Sequence, residues 1–322
     1  MYSTSTQKRS WTFTPEAIQE KRNQTNEQFR EKHRILLEPG EEEFFLTSPD
    51  ELLMQRMIEH AALTFAESFR PHIFSSIKWT AYAYFKRAFL GWSVMDFSPK
   101  IVMMACFYVA MKTDEFFVTI DDFVGNLKTG TIEGNISRIL GLEPEILQAN
   151  RYHLTVHCPY RPFEGHMMDI KKHIPHLGFD VESIRQDAYK FFDECLISDA
   201  MLLYSPSHIA LAAILYGLSQ QNREVDILRD ALSKVLGVQE DPWNGKNPEE
   251  MSNVDRLLNK ISEIVARVTS SHEEFDANYK LHSKSLMKRS NAFAELNKNL
   301  GDRKANHPVF AKKEQPVDSD DD

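Results

Sequence analysis

The chain has 322 residues, 42% of them hydrophobic and 11% aromatic, which predicts two domains with buried cores and some polar tails. Lysine and arginine together number 38 against 47 aspartates and glutamates, and a net charge of −9 disfavours proteins that grip nucleic-acid phosphates over their whole surface. No apolar run approaches the ~20 residues of a membrane span, and the three cysteines form no CxxC pair, so we expect a soluble intracellular protein with free thiols.

The predicted elements are helices, and several of them begin at a Ser or Thr followed by proline. The hydroxyl of such a residue can accept a free backbone N–H at the helix start, and proline fits the first helical position. Thr14-Pro15 predicts a polar helix from there to about His33, with too few apolar residues to fold alone. Ser48-Pro49, with Glu51 completing a capping box, predicts a second helix that reaches about Phe69. The apolar residues predicted to lie on its buried face are Leu53, Met57, Ala61, Phe65 and Phe69.

Two further starts, Ser98-Pro99 and Ser205-Pro206, lie one domain length apart and begin helices that align with each other. Both segments, SPKIVMMACFYVAMK and SPSHIALAAILYGLS, are apolar at nearly every position, which predicts a central buried helix in each of two bundles. We interpret the pair as a duplicated all-α domain; two unrelated buried helices with similar starts are the alternative. Small residues coincide at two aligned positions, where neighbouring helices can approach closely: Ala105 with Ala212, and Ala110 with Gly217.

The C-terminal part of the chain predicts one amphipathic helix over residues 272–300, followed by an acidic tail. Apolar residues recur in this segment at intervals of three or four, and Gly301 is suited to end the helix. The last residues, from Asp318 to Asp322, are almost all acidic, so we expect a solvated and disordered tail.

Two segments resemble catalytic or metal-binding motifs, and neither motif is complete. Residues 125–131 begin like a phosphate-binding loop, but Thr131 stands where a lysine should follow the second glycine, and no strand is predicted before it. His153, His157 and Cys158 cluster closely in the sequence, without a second ligand pair at zinc spacing. We therefore predict no catalytic, cofactor-binding or metal-binding residues and interpret the chain as a binding scaffold.

One set of charged residues marks a candidate binding surface. Lys112 ends the first repeated helix and is followed by acidic residues, whereas Ser219 stands at the matching place in the second. Glu143 is predicted to begin the next helical segment, which runs on to Leu154. The two charges are either solvated helix ends or a pair at a partner-binding surface, and the pattern alone favours solvated ends because lysine and glutamate are mostly exposed.

Several motifs resemble the cyclin family. The cyclin box is matched by residues 84–87, by residues 110–116 around Lys112, and by the spaced motif from Glu143 to Leu154. The resemblance implies a tandem cyclin fold: two five-helix bundles, with extra N- and C-terminal helices packed on the first box. More specific segments resemble the cyclins of the CDK-activating kinase, and these are residues 7–13, 123–127, 156–165 and 199–206.

The resemblance also implies a non-catalytic regulatory subunit that binds and activates a cyclin-dependent kinase. Together with a RING-finger assembly factor, such a complex serves in the transcription factor TFIIH in the nucleus. It phosphorylates CDK activation loops and the C-terminal domain of RNA polymerase II. Membrane contact and direct sequence-specific nucleic-acid binding are not implied. Lys112 and Glu143 match the charged pair that holds the kinase's mobile helix. The implied kinase-binding residues are Val109, Lys112, Glu115, Glu143, Leu147, Tyr152 and Leu154.

The resemblance divides the chain into five parts, although it does not define the helix boundaries within 221–270. Two departures from the family pattern stand out. Pro144 directly follows Glu143, which suggests a first helical turn there, and residues 53–57 lack the substrate-docking motif of the cell-cycle cyclins. The implied parts are an N-terminal arm and helix (1–47), a first cyclin box (48–155), a second cyclin box (156–270), a C-terminal helix (271–302) and the acidic tail (303–322).

Two other functions stay open at this point. One is a transcriptional cyclin of the Mediator type. The other is a TFIIB-like promoter-binding factor, which uses the same duplicated fold on DNA. The second is less favoured, because such a factor needs a basic face and usually an N-terminal zinc ribbon, whereas this chain is acidic and lacks cysteine pairs.

Overall fold

The computed structural model describes residues 2–174, 179–223, 226–235 and 253–306, and within these ranges every regular element is a helix. This confirms the predicted all-α class. None of the helices in these ranges is long and apolar enough to cross a membrane. The α-helices in chain order are α1 (Thr6–Ser10), α2 (Pro15–Arg34), α3 (Ser48–Ser68), α4 (Ser75–Ala88), α5 (Pro99–Thr113), α6 (Ile120–Gly125), α7 (Ile132–Ala149), α8 (Tyr160–His173), α9 (Arg185–Ile197), α10 (Ala200–Leu203), α11 (Pro206–Gln220), α12 (Asp226–Val235) and α13 (Asn253–Asn306).

The helix starts at Thr14, Ser98 and Ser205 are confirmed. Thr14 and Ser205 cap α2 and α11, because each hydroxyl accepts the backbone N–H three residues later. Ser98 precedes α5 in the same way, although its hydroxyl makes no capping hydrogen bond.

The capping box predicted at Ser48 is wrong by one residue. Thr47 keeps an extended backbone and caps α3, and it exchanges hydrogen bonds with Asp50 at the third helical position. Glu51 is therefore not part of the cap and faces the interior, where its carboxylate accepts a 2.6 Å hydrogen bond from Asn26 of α2. Burial raises the pKa of the Glu51 carboxyl.

The internal repeat is confirmed by two central helices of equal length. α5 and α11 each have 15 residues, and ten residues of each helix are buried. Each is followed by one residue in the left-handed region, and the next N–H bonds back five residues to the helix, which is the Schellman arrangement. The left-handed residues are Glu115, with φ of 56°, and Asn222, with φ of 52°. The repeat therefore extends through both helix ends.

Helices α3–α7 form the first bundle and helices α8–α13 the second, and each central helix packs mainly against the helices of its own bundle. α3, α4 and α7 contact α5, whereas α8, α9 and α13 contact α11. Gly217 lies at one such contact: an added Cβ would be 3.0 Å from the backbone oxygen of Ile184. Its counterpart in the first bundle, Ala110, is fully buried. The prediction that a small residue lets a neighbouring segment approach the central helix closely is therefore confirmed at Gly217.

The buried face of α3 is more polar than predicted. Leu53 at its start and Phe69 at its C-cap are buried, but Ala61 is exposed. Met57 and Phe65 are only half-buried. Charged residues of α3 take the interior positions instead, because they have partners there.

These partners form a buried charge cluster that joins the two bundles. The Lys86 ammonium of α4 lies 2.5 Å from the Glu59 carboxylate of α3, and both side chains are only 2% exposed. Arg56 bonds Glu59 at 3.0 Å and also Asp199, at the start of α10, at 2.8 Å. Arg22 of α2 donates two further hydrogen bonds of 2.8 Å to Asp199. Burial lowers the pKa of Lys86 to about 8. Burial alone would raise the pKa of Asp199, but the Arg56 and Arg22 cations hold it well below its usual value.

The C-terminal helix is longer than predicted. α13 is continuous from Asn253 to Asn306, so the implied boundary between residues 270 and 271 falls inside a helix. Gly301 lies within this helix and does not end it. The first residues of the predicted tail, 303–306, are helical, and residues 307–322 lie outside the described residues.

α13 also ties the second bundle to the N-terminal region. The ring of Phe293 lies 6.0 Å from that of Phe29 in α2. Near the end of the helix, the Arg303 guanidinium bonds the Glu41 carboxylate at 2.6 Å. Both α2 and α13 contact α3 of the first bundle, which confirms the expected packing of the terminal helices.

Candidate functional site

Lys112 and Glu143 form an ion pair at the end of α5. The Lys112 ammonium lies 2.5 and 2.8 Å from the two carboxylate oxygens of Glu143. The ammonium also lies 4.8 Å from the centre of the Tyr108 ring. The Lys112 and Glu143 side chains are 45% and 22% exposed, so the pair contributes at most about 1 kcal/mol to folding. Both charges are therefore accessible to a partner.

Glu143 does not begin a helix, contrary to the sequence prediction. Thr131 caps α7, and the helix holds Glu143 and Pro144 in its interior. Pro144 has no N–H to donate to the preceding turn, so one hydrogen bond of the helix is missing at this point. The prediction was wrong because proline is more common at the first position of a helix than inside one.

The turns after α5 and α7 shape the site. Both helices end in a Schellman motif whose left-handed residue is not glycine, Glu115 after α5 and Arg151 after α7, the latter with φ of 53°. Tyr152 follows with a second left-handed φ, 56°, and its N–H bonds the Leu147 carbonyl at 2.9 Å. Such backbone conformations are uncommon for residues with a Cβ and cluster at functional sites. They leave Glu115 and Tyr152 exposed at the surface.

The remaining predicted residues lie in or beneath this surface. Leu147 and Leu154 are half-buried, and the Leu154 carbonyl accepts a hydrogen bond from the Tyr84 hydroxyl of α4. Val109 is only 2% exposed. Its side chain therefore lies in the core beneath this surface, and its place among the kinase-binding residues stays a prediction.

The structure adds an aromatic patch, made of Phe74, Phe116 and Phe117, that the sequence analysis missed. Phe117 is 96% exposed, and Phe74, at the start of α4, is 61% exposed. The rings of Phe74 and Phe116 meet edge to face at 5.6 Å. Exposed aromatic groups of this kind are typical of protein–protein interfaces. The available signal was the pair of phenylalanines directly after a charged helix end, where polar residues are expected.

The matching end of α11 has different side chains on the same backbone. Ser219 takes the place of Lys112, and its hydroxyl donates to the Tyr216 carbonyl at 2.7 Å. Asn222 takes the place of Glu115 at the left-handed position. The end of the central helix therefore carries the ion-paired Lys112 in the first bundle. In the second bundle it carries a serine that bonds only the backbone of its own helix.

The two incomplete motifs have structural explanations. Residues 125–131 run from the last residue of α6 to the start of α7, and the Thr131 hydroxyl caps α7. His153 Nδ1 accepts a 3.1 Å hydrogen bond from the indole of Trp11, and His157 packs edge-on against Tyr2. In the part of the chain that the structure describes, no three metal-ligating side chains come together.

Comparisons with known proteins identify the family. The cyclin C-terminal domain family matches residues 158–270. Over 278 residues the chain is 35% identical to cyclin-H of Xenopus laevis, an alignment that covers 85% of this chain and 83% of that protein. The chain belongs to the cyclin H family. It is also 32% identical to the cyclin mcs2 of Schizosaccharomyces pombe, over 65% of this chain and 67% of that one.

Two solved structures have the same fold as this cyclin. A chain in the CAK complex of Chaetomium thermophilum bound to ATP-gamma-S superposes with a TM-score of 0.74 and 22% identity, over 100% of this cyclin and 97% of that chain. A chain in the yeast TFIIK (Kin28/Ccl1/Tfb3) complex superposes with a TM-score of 0.59 and 22% identity, over 83% of this cyclin and 100% of that chain. The expected tandem cyclin fold is thereby confirmed.

Proposed function

We propose that this chain is the regulatory cyclin subunit of a CDK-activating kinase. Its membership in the cyclin H family supports this function, and both structures with the same fold are parts of kinase complexes, CAK and TFIIK. The observation that carries the proposal is the exposed Lys112–Glu143 pair, at the position that the family resemblance assigns to the mobile helix of the kinase.

The proposed mechanism is a population shift in the kinase. A kinase is active only when a lysine–glutamate pair between its own sheet and its mobile helix is in place. A cyclin that binds only the closed position of that helix supplies the free energy difference that favours the active state. In this chain, the Lys112 ammonium would donate to backbone carbonyls of the helix, and the Glu143 carboxylate would accept from backbone N–H groups. Leu147, Tyr152 and Leu154 would cover its apolar side.

The aromatic patch belongs to the same proposed interface. A solvent-facing ion pair contributes little affinity by itself, whereas buried aromatic side chains dominate the binding free energy of many interfaces. Phe116 directly follows Glu115, and its N–H bonds the carbonyl of Met111 at the end of α5, so the patch is continuous with the charge pair. We therefore place Phe74 and Phe117 against the kinase as well.

The proposal includes a RING-finger assembly factor, association with TFIIH, and action in the nucleus. It assigns no catalytic step to this chain, in keeping with a regulatory role for a member of the cyclin H family. It also assigns no direct sequence-specific nucleic-acid contact, which the net charge of −9 supports.

Affinity purification of the tagged full chain from its own cells, followed by mass spectrometry and kinase assays, tests the proposal. We expect a cyclin-dependent kinase, a RING-finger protein and TFIIH subunits in the complex, with activity on CDK activation loops. Recovery of Mediator subunits would support the Mediator-type cyclin instead. Promoter DNA bound without any kinase would support the TFIIB-like factor.

A further inference from the structure

The N-terminal strap, residues 2–13, crosses the segment that links the two bundles. Gln7 pairs with the backbone of His157, donating to its carbonyl at 3.3 Å and accepting from its N–H at 2.7 Å. Further along, the N–H of Phe13 bonds the Leu202 carbonyl of the second bundle at 2.8 Å. The strap is therefore fixed at two points, and Trp11 lies between them.

Trp11 is buried against the turn that follows α7. Its indole N–H donates to His153 Nδ1 at 3.1 Å. The guanidinium carbons of Arg87 and Arg151 lie 5.0 and 5.5 Å from its ring, within the range of cation–π attraction. Arg87 in turn donates to the His153 carbonyl at 3.0 Å. Trp11 thus contacts Arg151 and His153, the residues on either side of Tyr152.

The turn holds Tyr152 in an unfavourable backbone conformation. Arg151 and Tyr152 are consecutive left-handed residues, and each carries a Cβ that disfavours this region. The N–H groups of Arg151 and Tyr152 bond the carbonyls of Gln148 and Leu147 at 2.8 and 2.9 Å. The Tyr152 side chain is 69% exposed, so the backbone of the turn sets its direction more than packing of the ring does.

We propose that Trp11 is a positioning residue for the kinase surface: by holding Arg151 and His153, it fixes the left-handed turn that presents Tyr152. This inference rests on the proposed function, in which Tyr152 contacts the mobile helix of the kinase. Trp11 itself is buried and does not touch the partner. Its loss therefore weakens kinase binding only through Tyr152.

A double-mutant cycle tests this coupling, using the full chain and the kinase subunit that copurifies with it. The variants are Trp11→Ala, Tyr152→Ala and both together, with affinities measured by titration calorimetry well below each melting temperature. Trp11→Ala should weaken binding about tenfold in the wild-type background and less than about twofold when Tyr152 is already alanine. Trp11→Phe, which keeps an aromatic ring but loses the indole N–H, should show a smaller loss of affinity with a melting temperature near that of the wild type.

Phe29→Ala is the matched control for a general loss of stability. Phe29 is also a buried aromatic residue of the N-terminal region, but it packs on Phe45 and Phe293, so its loss should lower the melting temperature without changing kinase affinity. Hydrogen exchange provides a second readout. The Tyr152 amide should exchange about tenfold faster in Trp11→Ala than in Phe29→Ala, because the turn opens locally.

The outcomes separate this inference from the function on which it rests. Equal losses of affinity in both backgrounds, or unchanged exchange at the Tyr152 amide, would overturn the positioning role and leave the proposed function intact. Full kinase affinity in Tyr152→Ala would overturn both the positioning role of Trp11 and the place of Tyr152 in the interface.

Discussion

Reversing the charge of Lys112 separates a local role of the Lys112–Glu143 pair from a role in partner binding. The pair is 45% and 22% exposed, so in the isolated chain Lys112→Glu should cost about 1 kcal/mol or less. For a chain of this size that corresponds to a fall in melting temperature of no more than about 2 °C. In the complex, the same change leaves Glu143 and the facing backbone groups of the kinase unpaired in a partly dry interface. Losing one member of such a pair costs about 2–5 kcal/mol, or roughly thirtyfold to several thousandfold in affinity.

The assay is kinase activity titrated with wild-type or variant cyclin, alongside thermal melts of each cyclin alone. Ser219→Glu is the internal control, because it adds a carboxylate at the matching end of α11. The swap Lys112→Glu with Glu143→Lys restores the local pair in reverse polarity, but it should leave activation impaired if the kinase contacts both charges. Normal activation by the well-folded single variants, or full recovery in the swap, would refute the proposed contact of Lys112 and Glu143 with the kinase.

Three further predictions concern the fold. Gly217→Ala places a methyl group 3.0 Å from a backbone oxygen and should destabilise the chain by about 1–3 kcal/mol in denaturant titrations. Gly165→Ala, with open space around it, should stabilise the chain slightly. If both variants were more stable than the wild type, the close contact at Gly217 would be refuted. Lys86→Met leaves the Glu59 carboxylate buried beside one cation fewer and should lower the free energy of unfolding by about 3–5 kcal/mol. Adding Glu59→Met should recover most of this stability. A decrease below about 1 kcal/mol in the single variant would contradict the buried charge cluster. A chain ending at residue 306 should have the melting temperature of the full chain and bind the kinase. A chain ending at residue 302 loses the ion pair between Arg303 and Glu41, so its melting temperature should be about 2 °C lower. Equal melting temperatures for the two truncated chains would contradict a stabilising role of this ion pair.

The helix class and the duplication could be predicted because local chemistry decides them. Proline after a hydroxyl residue marks a helix start wherever the helix later packs, and α5 and α11 are apolar at so many positions that only a central place in a bundle suits them. The same local signals failed where two neighbouring residues offered similar chemistry. Thr47 and Ser48 can both cap a helix, and only the backbone conformation selects Thr47.

The candidate site could be predicted only in part. The charge pattern singled out Lys112 and Glu143 but favoured solvated helix ends, and only the family resemblance assigned the pair to partner binding. Neither periodicity nor spacing could show that Phe74 and Phe117 would be exposed, whereas the apolar pattern of the α5 segment did predict that Val109 would be buried. Exposure at a helix end depends on how the flanking turns fold. The left-handed residues of the turns at this site are not glycines, so the sequence gives no sign of these turns.

Short-range patterns were sufficient for the helical class, the two central helices and the order of most elements, because hydrophobic periodicity and helix caps act over a few residues. Contacts between distant residues settled the rest. From the sequence alone one expects surface positions for the charged residues Arg56, Glu59 and Lys86. They are buried because the fold brings Asp199, with its partner Arg22, next to them from distant parts of the chain. Trp11 reads as an isolated aromatic residue in a polar arm until folding places it against Arg87 and Arg151. A buried charge or a positioning ring is defined by its partners, and those partners meet only when the bundles pack.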